Sequence, residues 1–302
     1  MWFLKKTIAV HNGSYHADDV FACATLSLFL KGAIRVIRTR DQKEIDKADF
    51  VIDVGGVYDA SINRFDHHQI GGAGVRTNTI PYASFGLVWK EYGVSVCNGN
   101  EEVASMIEQR LVFPIDAIDN GMSCIKEASI FPYTINDVLS SIEALDTATD
   151  KEKYKAFMNA VSLAQEILSG EIRKATSFIT KKQMILSVFE SSPEKSILVL
   201  DEYVSRYDLN SVLLEKPEVL FVVLPRSGTG GGWRVETIKD SNNEFTPRKK
   251  FPESWAGLKE KELEQTTGVS DVVFCHNCRF LCVTKTKESA MQIATKALIG
   301  VN

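Results

Sequence analysis

The sequence predicts an α/β protein in two parts. The first is a parallel-sheet N-terminal domain with a helical extension (1–190), and the second a smaller mixed α/β domain (197–302). Three observations carry this. Strands and helices alternate over residues 7–56, residues 134–189 are almost wholly helix-permissive, and the polar, Pro-containing "ESSPEKS" (190–196) precedes a second run of strands. A chain of 302 residues also suits two cores better than one.

The elements follow in order. "TIAV" (7–10) is a short apolar run that ends at a polar loop, as a buried strand does. Residues 17–31 place apolar side chains at helical spacing behind an acidic first turn and stop at Gly32. "AIRVIRT" and "DFVIDVGG" read as strands around a short helix in "QKEIDKA". Helices are expected over 81–93, ending at Gly93, and over 101–119, interrupted at Pro114. The helical extension should turn near Asp146–Asp150 and break at Ser169-Gly170. Beyond 196, "ILVLDEY", "VLFVVLP", "WRVETIK", "DVVFCH" and "FLCVTK" read as strands. One helix is expected from about 256 and a closing helix near 287–298.

Composition narrows the function. Hydrophobic content of 44% with 25% charged residues is that of a soluble globular protein, and no apolar run is long enough for a membrane span. The opening "MWFLKKTIAV" runs into the first strand and lacks the features of a secretory signal. A net charge of −4 argues against bulk electrostatic binding of nucleic acid but leaves room for a local basic groove. Cysteines 23, 97, 124, 275, 278 and 282 form no secreted disulfide framework, so a reducing intracellular setting is expected, cytoplasmic by default. "CHNC" (275–278) with Cys282 offers too few ligands for a structural zinc site and reads as buried or turn cysteines.

Acids and imidazoles gather where an α/β protein builds its site, at strand ends. "HNGSYHADD" supplies His11, His16, Asp18 and Asp19 after the first strand, and "VIDVGG" supplies Asp53. "FDHHQIGGAG" supplies Asp66, His67 and His68, and "IDAIDNG" supplies Asp116 and Asp119. Taken singly, each has an ordinary use. Asp18 and Asp19 suit a helix N-terminus, Asp53 a turn before Gly55-Gly56, and the adjacent histidines an exposed loop. Taken together, mixed His and Asp donors suit two divalent ions of the Mn²⁺, Co²⁺ or Zn²⁺ kind, which activate water and clamp a phosphoryl oxygen. No Walker-type glycine loop is present.

This order of motifs resembles the DHH phosphoesterase superfamily. Within it, "HNGSYHADD", "VIDVGGVYD", "RFDHHQ" and "IDAIDNG" are similar to the Myg (melanocyte-proliferating-gene) branch, described as 3′-to-5′ RNA exonucleases. "FTPRKKFPESWAGLKEKEL" and "TTGVSDVVFCHNCRF" continue the likeness into the second half. The resemblance implies a DHH-type N-terminal domain and a C-terminal domain that carries substrate recognition. It implies His11, His16, Asp18, Asp53, His67 and one of Asp116 or Asp119 as metal ligands, with Asp119 slightly preferred. Asp66 is implied to hold the loop, and His68 to stand near the substrate phosphate. The implied cofactor is two divalent ions, Mn²⁺ first, with Mg²⁺ or Co²⁺ as other fits. The implied partner is single-stranded RNA or an oligonucleotide. A nuclear or mitochondrial address also falls within the branch, and the oligomeric state is left open, a homodimer included.

The recognition role that the resemblance implies for the C-terminal domain makes Arg226 beside the glycine-rich "SGTGGGW", Arg248 in "FTPRKK" and His276 the substrate-binding candidates; such arginines can clamp phosphates bidentately. Two departures touch the site. The branch's "HCDE" is here "HADD", with Ala17 and a shorter Asp19, and "NCRFLCVTK" replaces a small, glycine-rich run after His276. Two other readings keep the same residues. One is a small-substrate phosphohydrolase acting on pyrophosphate or short nucleotides, and the other a metal-binding scaffold without turnover.

Overall fold

A computed structural model describes residues 5–122, 132–228, 230–241 and 246–300. Cys124 lies outside the described residues, as do Thr229 and Phe245 of the glycine-rich and "FTPRKK" stretches. The chain is α/β and forms two compact units, residues 1–176 and 177–302.

The first unit opens with β1 (Lys6–Val10), α1 (Ala17–Phe29), β2 (Ile34–Arg38), α2 (Gln42–Ile45), β3 (Phe50–Ile52), β4 (Tyr58–Asp59) and β5 (Arg64–Phe65). The helices α3 (Ser84–Val96), α4 (Glu101–Ile107), α5 (Phe113–Asp119) and α6 (Ile135–Ser140) follow, then the start of α7 (Asp150–Ser191). The five strands are ordered β2-β1-β3-β5-β4. All pairs are parallel except β4 with β5. The chain steps from β1 to β2 on one side, then returns to β3 on the other. This makes β1/β3 a switch point, where an open parallel sheet presents a crevice.

Apolar residues cover both faces of this sheet. Ile45 and Ala48 pack with Ala9, Val51 and Val54 on one side. Helix α1 is buried from Ala17 to Ser27 and meets α3 through Phe21 and Phe85, whose ring centres are 5.3 Å apart. Helix α3 runs through Gly93 instead of ending there. A Cβ at Gly93 would stand 2.6 Å from the Trp89 indole, so the glycine makes room for a ring rather than a stop. The interruption expected at Pro114 is a wide π-type turn over Glu108–Val112, just ahead of a residue that has no N–H to donate.

The break expected at Ser169-Gly170 is absent, and α7 is continuous across it. A single glycine costs a helix only about 1 kcal/mol. Buried Ala160, Ala164, Leu168 and Ala175 more than offset that. Helix α7 ends at Ser191 and β6 begins at Ile197, on either side of "ESSPEKS". The compact units nevertheless divide earlier, between Thr176 and Ser177. Ile185 and Phe189, in the last turns of α7, belong to the second unit's core.

The second unit contains β6 (Ile197–Val199), α8 (Arg206–Leu213), β7 (Phe221–Pro225), β8 (Trp233–Thr237), α9 (Glu260–Thr267), β9 (Val272–Cys275), β10 (Leu281–Thr284) and α10 (Lys287–Ile299). Its sheet is ordered β6-β7-β8-β10-β9, parallel only between β6 and β7. Alternation on the strands divides the core in two. Phe221, Val223, Val235, Cys275 and Cys282 face one side with Ala290 and Ile293 of α10. Val222, Leu224 and Ile238 face the other with Leu209 and Leu213 of α8. Sequence periodicity missed α8, a short helix whose start is capped by Ser205 accepting from the Asp208 amide. The helix expected from 256 begins at Glu260, after a single 3₁₀ turn over Glu253–Trp255. Among the described residues no helix is long and apolar enough to cross a membrane.

Candidate metal centre

Strand register assembles the centre. Val10 pairs with Ile52, and Ile52 with Phe65, across three adjacent parallel strands. The next residue on each strand is therefore His11, Asp53 and Asp66, all at the carboxyl edge of the sheet. Asp53 takes a left-handed backbone, φ +55°, a conformation that costs a non-glycine residue about 1–3 kcal/mol. Asp tolerates that region better than most residues. Its carboxylate is buried among three imidazoles. His11 Nε2 lies 3.3 Å from Oδ2, and His67 Nε2 and His68 Nδ1 each lie 3.3 Å from Oδ1.

Helix α1 adds two carboxylates from its first turn. Asp19 accepts the His16 backbone N–H on Oδ1 at 3.0 Å and places Oδ2 3.1 Å from His11 Nε2. Asp18 is fully buried, with Oδ2 3.8 Å from His67 Nε2. Asp119, at the end of α5, completes the ring. Its Oδ2 lies 3.2 Å from His67 Nε2 and its Oδ1 3.7 Å from His16 Nδ1. The donors fall into three groups, His11–Asp19–Asp53, Asp53–His67–His68 and His16–Asp18–Asp119, each compact enough to hold a metal ion. Asp53 belongs to two of them.

The DHH loop is braced from below. Buried Asp66 accepts from the Gly56 amide at 2.6 Å on Oδ2. On Oδ1 it accepts from the His68 amide at 3.0 Å and meets His68 Nδ1 at 2.9 Å. His11 and His67 are only 6% and 8% exposed, whereas His16 and His68 are 61% and 62% exposed, so the last two have a side free to meet a ligand. Ser84, at the start of α3, donates to Asp53 Oδ1 at 3.1 Å.

Electrostatics mark the cluster as short of positive charge. Burial works against charge on His11 and His67, yet Asp19 and Asp53 lift His11 to about 9, and Asp119 and Asp53 lift His67 to about 10. Hydrogen bonding to Asp53, with Asp66, lifts His68 to about 9. Burial pushes Asp18 well up, reinforced by the neighbouring charges of Asp53, Asp119 and Asp19. Burial also raises Asp19, while the three imidazoles around Asp53 overcome its burial and hold it low. Among the described residues, neither oxygen of Asp18 has a hydrogen-bond donor, and His67 Nε2 likewise lacks a hydrogen-bond partner. Buried acceptor oxygens facing imidazole nitrogens are the donor set a divalent cation takes, so the residues fit such an ion.

Asp116 faces elsewhere. It is buried, pairs with Arg76 Nη2 at 2.8 Å and accepts from the Gly86 amide at 3.0 Å. Burial pushes it up to about 7 against the pull of Arg76. Gly86 is required by this pair, because a Cβ there would stand 1.8 Å from Asp116 Oδ2 and 2.3 Å from Arg76 Nη2. The structure thus brings Asp119, and not Asp116, to the imidazoles.

Residues 12–15, between His11 and His16, line a polar cavity of about 180 Å³ with Arg38, Glu143, Asp146 and Lys153. Arg38 donates to the carbonyls of His11 and Gly13, which anchors the loop. Sequence reading placed Arg38 only in a strand and overlooked both it and Ser84. Asp19 had a signal in the paired acids of "HADD", but a helix N-terminus uses the same pattern.

The three substrate-binding candidates lie in the second unit. Arg226 is exposed at the end of β7. His276 follows β9, packs at a tilt against Phe280 with ring centres 4.3 Å apart, and accepts the Cys278 amide on Nδ1. Arg248 is committed to four carbonyls at the end of α8 and just beyond, those of Leu213, Leu214, Lys216 and Val219. Those are the acceptors a helix C-terminus leaves open.

The model of a family described as the uncharacterised protein family UPF0160, and named for the MYG1 exonuclease, matches residues 7–298. The MYG1 protein of Dictyostelium discoideum is 30% identical over 319 residues, spanning 97% of this chain and 96% of its own. The MYG1 protein of Chlamydia pneumoniae is 30% identical, spanning 96% and 95%. The MYG1 exonuclease of Homo sapiens is 27% identical, spanning 96% and 85%.

Proposed function

The chain belongs to the MYG1 exonuclease family (UPF0160), and we propose that it is a divalent-metal-dependent phosphodiesterase that removes nucleotides from the 3′ end of single-stranded RNA. One observation carries the reading. Buried Asp53 offers one carboxylate oxygen to each of two His/Asp groups, the arrangement expected of a bridging ligand.

In this reading His11, Asp53 and Asp18 hold metal together with His67, Asp119 and His16, with Mn²⁺ the best match to mixed His and Asp donors. A bound divalent ion acidifies water and draws charge from a phosphoryl oxygen. The protein's own part is to place and orient. Asp19 aims the His11 ring and Ser84 aims Asp53, as residues behind a metal ligand commonly do. Asp66 holds the loop so that the exposed side of His68 meets the substrate phosphate. Asp116 is assigned to the fold through Arg76, and Arg248 to capping α8. That leaves Arg226 and His276 as the substrate contacts of the second unit, and Arg38 and Lys153 as cations beside the metal loop.

The test uses purified full-length protein, Mn²⁺ and 5′-labelled oligoribonucleotides. A ladder shortening from the 3′ end, with mononucleotide release lost in His67→Ala, is expected. No release from RNA or DNA with Mn²⁺, Mg²⁺ or Co²⁺ would sink the proposal. Faster turnover of pyrophosphate than of any oligonucleotide would favour a small-substrate phosphohydrolase. Stoichiometric metal without turnover of either would favour a scaffold.

A further inference from the structure

In the second unit, three cysteines lie on the hairpin of β9 and β10. Cys275 and Cys282 are directly opposed in the antiparallel register. The His276 amide donates to the Leu281 carbonyl at 2.8 Å, which makes that neighbouring pair hydrogen-bonded. The amide of Cys275 instead donates to Leu258 O, and its carbonyl accepts from the Gly257 amide, so both point away from β10. Cys275 and Cys282 are therefore a non-hydrogen-bonded pair, where Cα atoms approach to about 4.5 Å and side chains are closest. That separation lies inside the range a disulfide spans, about 4.4–6.8 Å. Both side chains point into the same core, 1% and 0% exposed, and both thiols are free.

We propose that Cys275 and Cys282 form a reversible dithiol/disulfide site, oxidised by peroxide, that staples β9 to β10. The Cys275 thiol donates to the His276 carbonyl at 3.8 Å. The facing Cys282 thiol, with the charge of Arg279, holds Cys275 below its usual range, while its partner and burial push Cys282 up. Cys275 is thus the attacking sulfur. Cys275 gives up its proton, its thiolate attacks one peroxide oxygen, an S–O bond forms, the O–O bond breaks, and the departing hydroxide takes up that proton to leave as water. The Cys282 sulfur then attacks the Cys275 sulfur. The S–S bond forms, the S–O bond breaks, and the second hydroxide leaves as water with the Cys282 proton. Two thiols and one peroxide become one disulfide and two waters. The staple closes directly beneath the turn that carries His276 and the exposed thiol of Cys278.

Trypsin makes the test clean. Cleavage after Arg279 and Lys285 separates a peptide holding Cys275 and Cys278 from the peptide Phe280–Lys285 holding Cys282. Full-length protein is treated with hydrogen peroxide, alkylated, digested and mapped by mass spectrometry, with Cys278→Ser beside the wild type. The expected result is a cross-linked pair at the summed peptide mass less two hydrogens, present in Cys278→Ser and released by dithiothreitol. Three results would overturn the proposal: no linked pair in Cys278→Ser, a link formed only after unfolding in guanidinium, or Cys275 carried to sulfinic acid uncoupled.

Discussion

At the scale of single residues, two aspartates on one helix do different work three positions apart. Asp119 turns to His67 and His16, whereas Asp116 turns to Arg76 and the Gly86 amide. Spacing does not separate them, since residues i and i+3 share a helix face in sequence terms. The expected outcome is asymmetric. Asp119→Asn loses bound Mn²⁺ by elemental analysis. Asp116→Asn keeps it and instead loses roughly 1–3 kcal/mol in chemical denaturation, because buried Arg76 would face an amide. Equal metal loss in both variants would contradict the assignment. His11, Asp53 and His67 were legible in the sequence because donors just past strands stand out against apolar runs, and Asp18 because it stands in the same short "HNGSYHADD" stretch as His11. Ser84 and Arg38 were not, because one hydroxyl at a helix start and one arginine in a strand carry no pattern of their own.

At the scale of elements, α7 is the informative case. Gly170 reads as a stop, yet the helix passes through it. Tertiary burial overrides local propensity, as it does where α3 continues through Gly93 beside Trp89. A Cβ at Gly170 meets nothing nearer than the mobile end of Arg173, at 3.8 Å. Gly170→Ala should therefore raise stability by about 0.5–1 kcal/mol, measured as a higher denaturation midpoint at unchanged slope. A neutral or destabilising result would indicate that the glycine serves a bend or a contact. Helix α8 escaped the sequence reading for the converse reason. It has too few turns to show a period, and its capping serine and buried Leu209, Val212 and Leu213 define it.

At the scale of the whole molecule, the acids of the first unit make its stability depend on a cation. Asp18, Asp19, Asp53 and Asp119 converge on two buried imidazoles, and the Asp18 oxygens have no hydrogen-bond donor among the described residues. Metal at about 100 times its dissociation constant should add about 2.7 kcal/mol to the folded state. In calorimetry, Mn²⁺ should raise the unfolding temperature of the first unit, and a chelator should reverse the shift. The second unit, which holds none of these residues, should not respond. A shift of both transitions together would mean that the units unfold as one.

By itself the sequence determined the α/β class, the two-part organisation and the chemistry of the donors, because hydrophobic period and residue type are local properties. Only the tertiary structure decided which donors meet. His11, Asp53 and Asp66 stand abreast because three strands distant in sequence share one register. Asp119 reaches His67 because packing turns α5 so that Asp116 faces Arg76. Cys275 faces Cys282 because of a hairpin pairing that spacing alone does not specify. Each is a long-range contact, and no local period encodes the partner of a side chain across a sheet or between helices.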